Sequence, residues 1–275
     1  MDFSYVFGHE LVELAGEDKS VCAITAAMGE MQGAYSLVIM QGLKPVFAVY
    51  SSFLQRGFDM LIHDVALQHL HVVLAVDRAG LVGADGATHH GCQDVAYLTQ
   101  IPGMTVFSPA DFGELRAMLR AAVAMDGPVA VRYPRGGESR NYPRWQGEAA
   151  QVLRRGTDVT LVSYGVMTDE LMTAGEILAE AGVSAEIVKL CRIAPLDPQA
   201  VLDSLRRTGR LLVLEDVVEN GGVGQKLAAE ALAAGIVPRA VILKNLKDHF
   251  VYQGTVAQLR RSEGLDAAGV VKAVL

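Results

Sequence analysis

Between Asp77 and Gly91 the chain reads DRAGLVGADGATHHG, and the residue types there offer three kinds of chemistry. His89 and His90 could ligate a metal, Arg78 and the loop's backbone N–H groups could hold an anion, or four glycines could simply turn the chain. Neighbouring residues on an extended segment point to opposite sides, and no third ligand follows at a metal-like spacing, so no metal is expected here. Glycine lets a backbone wrap closely around a small ligand, which keeps the anion reading open beside the plain turn. Guanidinium suits phosphate because its planar fork donates two parallel hydrogen bonds. A lone loop arginine is otherwise a solvated charge. A second short stretch, YSSFLQR at residues 50–56, brings Tyr50, Phe53 and Arg56 close together. Ordinary core packing is the plain alternative for Phe53.

Both stretches follow strand-like apolar runs, PVFAVY and HVVLAVD. In open parallel sheets, ligands gather outside the carboxyl ends of the strands, so parallel pairing would bring the two loops to one edge. Similar valine-rich runs predict strands at Val21–Thr25, Thr105–Ser108, Val129–Tyr133, Val159–Tyr164, Ala185–Lys189, Arg210–Leu214 and Arg239–Leu243. Helical spacing is expected at Phe3–Ala15, Phe58–Gln68, Phe112–Ala124, Asp169–Ala181, Pro198–Thr208 and Gly224–Ala233. Phe58, Leu61, Ile62, Val65 and Ala66, for instance, fall three and four apart on one helical face. Continuous apolar strands alternating with helices mean an α/β fold with parallel sheets covered on both faces. The proline-, glycine- and charge-rich text of Tyr133–Gln151 reads as a linker, giving two α/β domains at about 1–135 and 152–275.

The 275 residues are 51% apolar and 20% charged, a globular composition. A formal charge of −7 offers no basic stripe, so nucleic acid is not an expected partner. Acids appear early in MDFSYVFGHELVELAGEDKS, which lacks the pattern of a signal peptide. Apolar runs such as Val72–Val76 have strand length, so no membrane span is expected. Cys22, Cys92 and Cys191 are scattered, which suits buried thiols in a reducing cytoplasm.

VYSSFLQRGFDMLIHDVALQ, VDRAGLVGADGATHHGCQDVAYL, IPGMTVFSPAD and GPVAVRYPRG together resemble the central domain of the 1-deoxy-D-xylulose-5-phosphate synthase family. That family belongs to the thiamine-diphosphate-dependent transketolase superfamily. VKLCRIAPLD, LLVLEDVVENGGVG and DHFVYQGTVAQLRRSEGLDAAGV resemble its C-terminal domain. The resemblance implies a pyrimidine-binding α/β domain followed by a transketolase C-terminal domain. It implies that Phe53 stacks on the cofactor's aminopyrimidine, with Tyr50 and Arg56 beside it. Stacking suits a flat electron-poor heterocycle. Tyr50 is also placed toward substrate, and Arg56 has the plain alternative of a solvated arginine paired to an acid. Arg78 and Arg135 match positions that clamp the phosphate of glyceraldehyde 3-phosphate. Asp85 and His89 match polar residues near the reacting centre, whereas His90 matches no functional position. ENGGVGQKL (219–227) has helix-opening glycines but not the G-x-G-x-x-G spacing, and is expected to be structural.

Two departures accompany the match. The family's GDG motif, which signs the domain that holds the diphosphate through Mg²⁺, does not occur here. After AITAAM the text passes to GEMQGAYSLVIMQGLKP, where the family carries a longer loop and a helix opening with its activating glutamate. Glu30 is the nearby acid, a couple of residues closer to Gly42 than the family's spacing. Each helical residue turns about 100°, so that slip aims Glu30 away from the ring unless the loop compensates. A capping acid is its plain alternative. The expected protein is a pyrimidine-binding half that works as a homodimer or as a hetero-oligomer with a diphosphate-binding subunit. A non-catalytic scaffold or regulator, and an engineered fragment, stand as alternatives.

Overall fold

A computed structural model describes residues 1–25 and 42–275; Glu30 lies outside the described residues. The apolar runs form two sheets. In the first, β1 (Val21–Thr25), β2 (Lys44–Tyr50), β3 (Val73–Asp77), β4 (Thr105–Phe107) and β5 (Val129–Arg132) pair in parallel in the order β1-β2-β3-β5-β4. β3 is buried at every position, which is why its sequence VLAVD lacks a polar face. In the second, β6 (Ala150–Arg154), β7 (Val159–Tyr164), β8 (Ala185–Leu190), β10 (Arg210–Val218) and β11 (Ala240–Leu246) assemble in the order β11-β10-β7-β8-β6.

Parallel pairing is broken twice. β6 runs antiparallel to β8, and β9 (Arg192–Ala194) leaves the second half of the chain to pair antiparallel with β4 of the first sheet. The two sheets also share one apolar core, in which Phe47 and Leu74 join Tyr164, Val188 and Val213. The helix expected over Phe58–Gln68 is a succession of different turns: an α turn at Phe58–Met60, then a π-helical segment at Leu61–Ala66. Its apolar spacing still seats Leu61 and Val65 in the core.

Helix α1 (Phe3–Glu17) begins at Asp2, whose carboxylate accepts from the Tyr5 N–H at 2.8 Å. Its buried face, Phe3, Val6, Phe7, Glu10 and Leu14, repeats every three or four residues. This seating carries Ser4 to the end of β3, where its hydroxyl donates to Asp77 at 2.9 Å. A second cross-chain tie is the Lys189–Glu114 ion pair, fully buried, with the ammonium over the Tyr142 ring. Among the described residues no helix is long and apolar enough to cross a membrane.

Candidate functional site

Register fixes the site's frame. Tyr50 lies opposite Asp77, and Val76 opposite Arg132, so β2, β3 and β5 end side by side. The segments after these ends carry Tyr50–Phe53, Arg78–Gly91 and Tyr133–Arg135. The Tyr50 and Phe53 rings stack at 5.6 Å between centroids, and His89 meets Phe53 edge-on at 5.4 Å. Arg56 lies 5.4 Å from the same Phe53 ring. Arg78 has a φ of +61°, a left-handed conformation that costs a non-glycine residue about 1–2 kcal/mol. It is held there by ring and charge: its guanidinium lies 3.8 Å over Tyr50 and donates to Asp77 at 2.9 Å. Arg135 reaches back to the glycine loop, donating to Asp85 at 2.6 Å. Tyr50, Phe53, Arg56, Arg78 and His89 thus form one contact cluster, and Asp85 and Arg135 form a pair with each other.

Both arginines therefore sit against carboxylates, and an incoming anion must displace or share those contacts. Burial pushes the Asp77 carboxyl above its usual range, while the Ser4 hydroxyl and Arg78 pull it down. Asp77 Oδ1 and the hydroxyl of Ser51 are buried without hydrogen-bond partners.

The adjacent histidines divide as an extended chain requires. Nδ1 of His89 lies 2.9 Å from the Thr88 hydroxyl, and its ring faces Phe53. His90 accepts from the Val82 N–H at Nδ1 and reaches the Tyr252 carbonyl through Nε2, at 3.1 Å each. With both nitrogens engaged, His90 pins the glycine loop to the C-terminal segment. Among the described residues no three His, Cys, Asp or Glu side chains are grouped to hold a metal.

The loop owes its shape to close backbone packing. Gly80 and Gly91 pair through their backbones, and a Cβ on Gly80 would overlap the Asp216 carboxylate. Asp216 belongs to a buried charge cluster that the sequence did not advertise. Arg132 donates through Nε and Nη2 to Asp94 at 2.9 and 3.3 Å, and lies 4.0 Å from Asp216. Burial opposes the Arg132 charge, but Asp94, Tyr164 and Asp216 more than restore it. The only local hint was a charged residue closing the apolar run VAVR.

The glycine-rich opening of the helix Val223–Ala233 is filled from within. The Glu215 carboxylate accepts from the N–H groups of Val223 at 2.7 Å and Gly224 at 2.9 Å, and from the Tyr164 hydroxyl at 2.8 Å. An internal anion occupies the place a phosphate would take. Burial raises the Glu215 carboxyl above its ordinary range despite these donors. Glu215→Ala is expected to cost roughly 1.5–3 kcal/mol, the loss of a charged hydrogen-bond acceptor, read as a lower urea midpoint. No change in midpoint would show that water replaces the carboxylate. Burial likewise pushes the Cys191 thiol up to about 12 and the Cys92 thiol well above its ordinary value, so neither is a nucleophile at neutral pH.

The chain as a whole has known relatives. The family model for the transketolase pyrimidine-binding domain matches residues 31–138, and that for the transketolase C-terminal domain matches residues 148–270. The chain belongs to the transketolase family. Within it, the sequence is similar to 1-deoxy-D-xylulose-5-phosphate synthases. It is 37% identical over 303 residues to 1-deoxy-D-xylulose-5-phosphate synthase 1 of Geobacter sulfurreducens, covering 98% of this chain and 47% of that protein. It is 40% identical over 304 residues to the synthase of Thermomicrobium roseum, covering 98% of this chain and 48% of that one. The chain spans about half the length of the curated relatives it matches. A solved structure described as a split gene transketolase, inactive beta4 tetramer, superposes with a TM-score of 0.87 at 26% identity. That likeness covers 100% of this chain and 97% of the other.

Proposed function

We propose that this chain is the pyrimidine-binding and C-terminal part of a thiamine-diphosphate-dependent enzyme of the 1-deoxy-D-xylulose-5-phosphate synthase type. On this reading its domains are residues 1–135 and 152–275. A diphosphate-binding chain completes it and holds Mg²⁺, and the assembly works in the cytoplasm. The observation that carries the reading is the strand-end cluster of Tyr50, Phe53, Arg78 and His89 beside orphaned buried oxygens. The residues fit the cofactor's ring: Phe53 is half-buried at the strand end, its ring flanked by Tyr50, Arg56 and His89. When bound, thiamine diphosphate supplies the electron sink that lets a 2-oxo acid lose carbon dioxide and join an aldose phosphate.

The chain's own residues have separable tasks. Phe53 packs on the pyrimidine face, supported by Tyr50 and Arg56. His89 and Asp85 hold polar groups of the reactants, and Arg78 and Arg135 bind the substrate phosphate. Each arginine removed is expected to cost roughly 1.5–3 kcal/mol of binding. Calorimetry of the purified chain with glyceraldehyde 3-phosphate checks this. Unchanged affinity in both Arg78→Ala and Arg135→Ala would refute the clamp.

The half-length match and the split-gene neighbour support a partial subunit. That neighbour's description as inactive also favours a chain that assembles with its own copies without turnover. The deciding experiment measures the mass of the purified chain, alone and with a chain bearing the GDG motif, and then carbon dioxide release from pyruvate. Complex formation with turnover supports the proposal. Turnover by this chain alone overturns it.

A further inference from the structure

The first turn of α1 touches both segments that carry the strand-end arginines. The Ser4 hydroxyl donates to Asp77 Oδ2 at 2.9 Å, and Arg78 Nη1 donates to that same oxygen at 2.9 Å. One residue earlier in the turn, the Phe3 N–H donates at 2.9 Å to the carbonyl of Gly136, which directly follows Arg135. The turn is itself fixed. Phe3 is fully buried and meets Phe112 edge-on at 5.0 Å, and the Asp2 carboxylate accepts from the Tyr5 N–H at 2.8 Å.

What Ser4 adds is orientation. A φ of +61° at Arg78 is a conformation that a non-glycine residue keeps only where its surroundings enforce it. The Tyr50 ring, 3.8 Å from the guanidinium, attracts the cation without selecting which N–H groups point away from it. That choice falls to Asp77, a buried carboxylate. Of the two side chains that donate to Asp77 Oδ2, Arg78 is next in sequence and moves with it. Ser4, half-buried on another element, fixes the pair in space.

We propose that Ser4 is a positioning residue for phosphate binding. Through Asp77 it sets which N–H groups of Arg78 are left for the ligand, and the same turn holds the Arg135 segment in step through Gly136. The proposal rests on the reading of Arg78 and Arg135 as the phosphate clamp. Ser4 itself touches no substrate.

The full chain is titrated with glyceraldehyde 3-phosphate by calorimetry, and the Arg78 Nε–H signal is followed by proton–nitrogen NMR, assigned by its loss in Arg78→Lys. That signal is expected apart from those of exposed arginines, because the guanidinium lies in the ring current of Tyr50. Ser4→Ala should move it toward the exposed group and weaken binding roughly three- to tenfold, the worth of one hydrogen bond. Ser4→Thr keeps the hydroxyl and should restore both. A general loosening of the helix would weaken binding without displacing the Arg78 signal, and that result overturns the proposal. Equal loss in Ser4→Ala and Ser4→Thr overturns it too. If Ser4→Ala binds as the parent does while Arg78→Ala binds more weakly, the proposal alone falls. If Arg78→Ala and Arg135→Ala also bind as the parent does, the phosphate clamp falls with it.

Discussion

Asp94→Ala should remove about 3–5 kcal/mol of stability, the cost of leaving a buried charge without its partner. Asp94 is fully buried, Arg132 is 4% exposed, and two hydrogen bonds join them. The remaining contacts cannot compensate. Asp216 lies 4.0 Å away, and the Ser108 hydroxyl is a neutral acceptor at 3.4 Å. A domain of ordinary stability has only about 5–15 kcal/mol in all, so the variant should unfold at a markedly lower urea concentration. Replacing both residues by apolar ones of similar size, as in Asp94→Leu with Arg132→Met, should recover only part of the loss, because the buried Asp216 carboxyl then loses Arg132 as its partner. A midpoint shift worth less than about 1 kcal/mol in the single variant would show that water reaches Arg132. Function follows the same contact. Arg132 closes the strand whose next residue, Tyr133, accepts from the Ala79 N–H at 3.0 Å, beside Arg78. Loosening Arg132 should therefore also weaken phosphate binding in whatever protein remains folded.

On the proposed function, Glu30→Gln in the chain combined with a diphosphate-binding partner should lower carbon dioxide release about 10²–10⁴-fold, the usual worth of a positioned acid–base group. In the family this sequence resembles, a glutamate at the corresponding place hydrogen-bonds the pyrimidine nitrogen and favours the tautomer that removes the thiazolium proton. Glutamine keeps the size and loses the exchangeable carboxyl proton, so binding of the cofactor should change far less than turnover. The assay needs both chains, because this chain alone is expected to release no carbon dioxide. Turnover within threefold of the parent would remove Glu30 from this role and leave its plain alternative, a helix-capping acid. Cofactor affinity falling in step with the rate would show a structural defect rather than a chemical one.

The fold was largely legible because its signals are local. A run such as VLAVD, apolar at every position, cannot satisfy a solvent-facing strand, so it reads as the interior of a parallel sheet. Strands β6 and β9 escaped for the opposite reason. β6 is half-buried along its length with mixed composition, and β9 is three residues long. Neither carries a periodic pattern long enough to register. The π-helical turn at Leu61–Ala66 was invisible because apolar spacing of three and four fits a mildly overwound or underwound helix alike.

At the candidate site the sequence by itself determined which residues stand at the strand ends: Tyr50 and Phe53 after one apolar run, Arg78 and His89 after the next. Chain order and strand length are enough for that. Which groups meet was left to the tertiary structure. Nothing local pairs Arg135 with Asp85, lays Arg78 over Tyr50, or sends His90 to a carbonyl 162 residues away. Nor does a glycine-rich helix start announce that Glu215 already fills it. Burial pattern and period record how one segment faces the core. The partners of a charge depend on where several segments converge, and only the packed sheets bring those ends together.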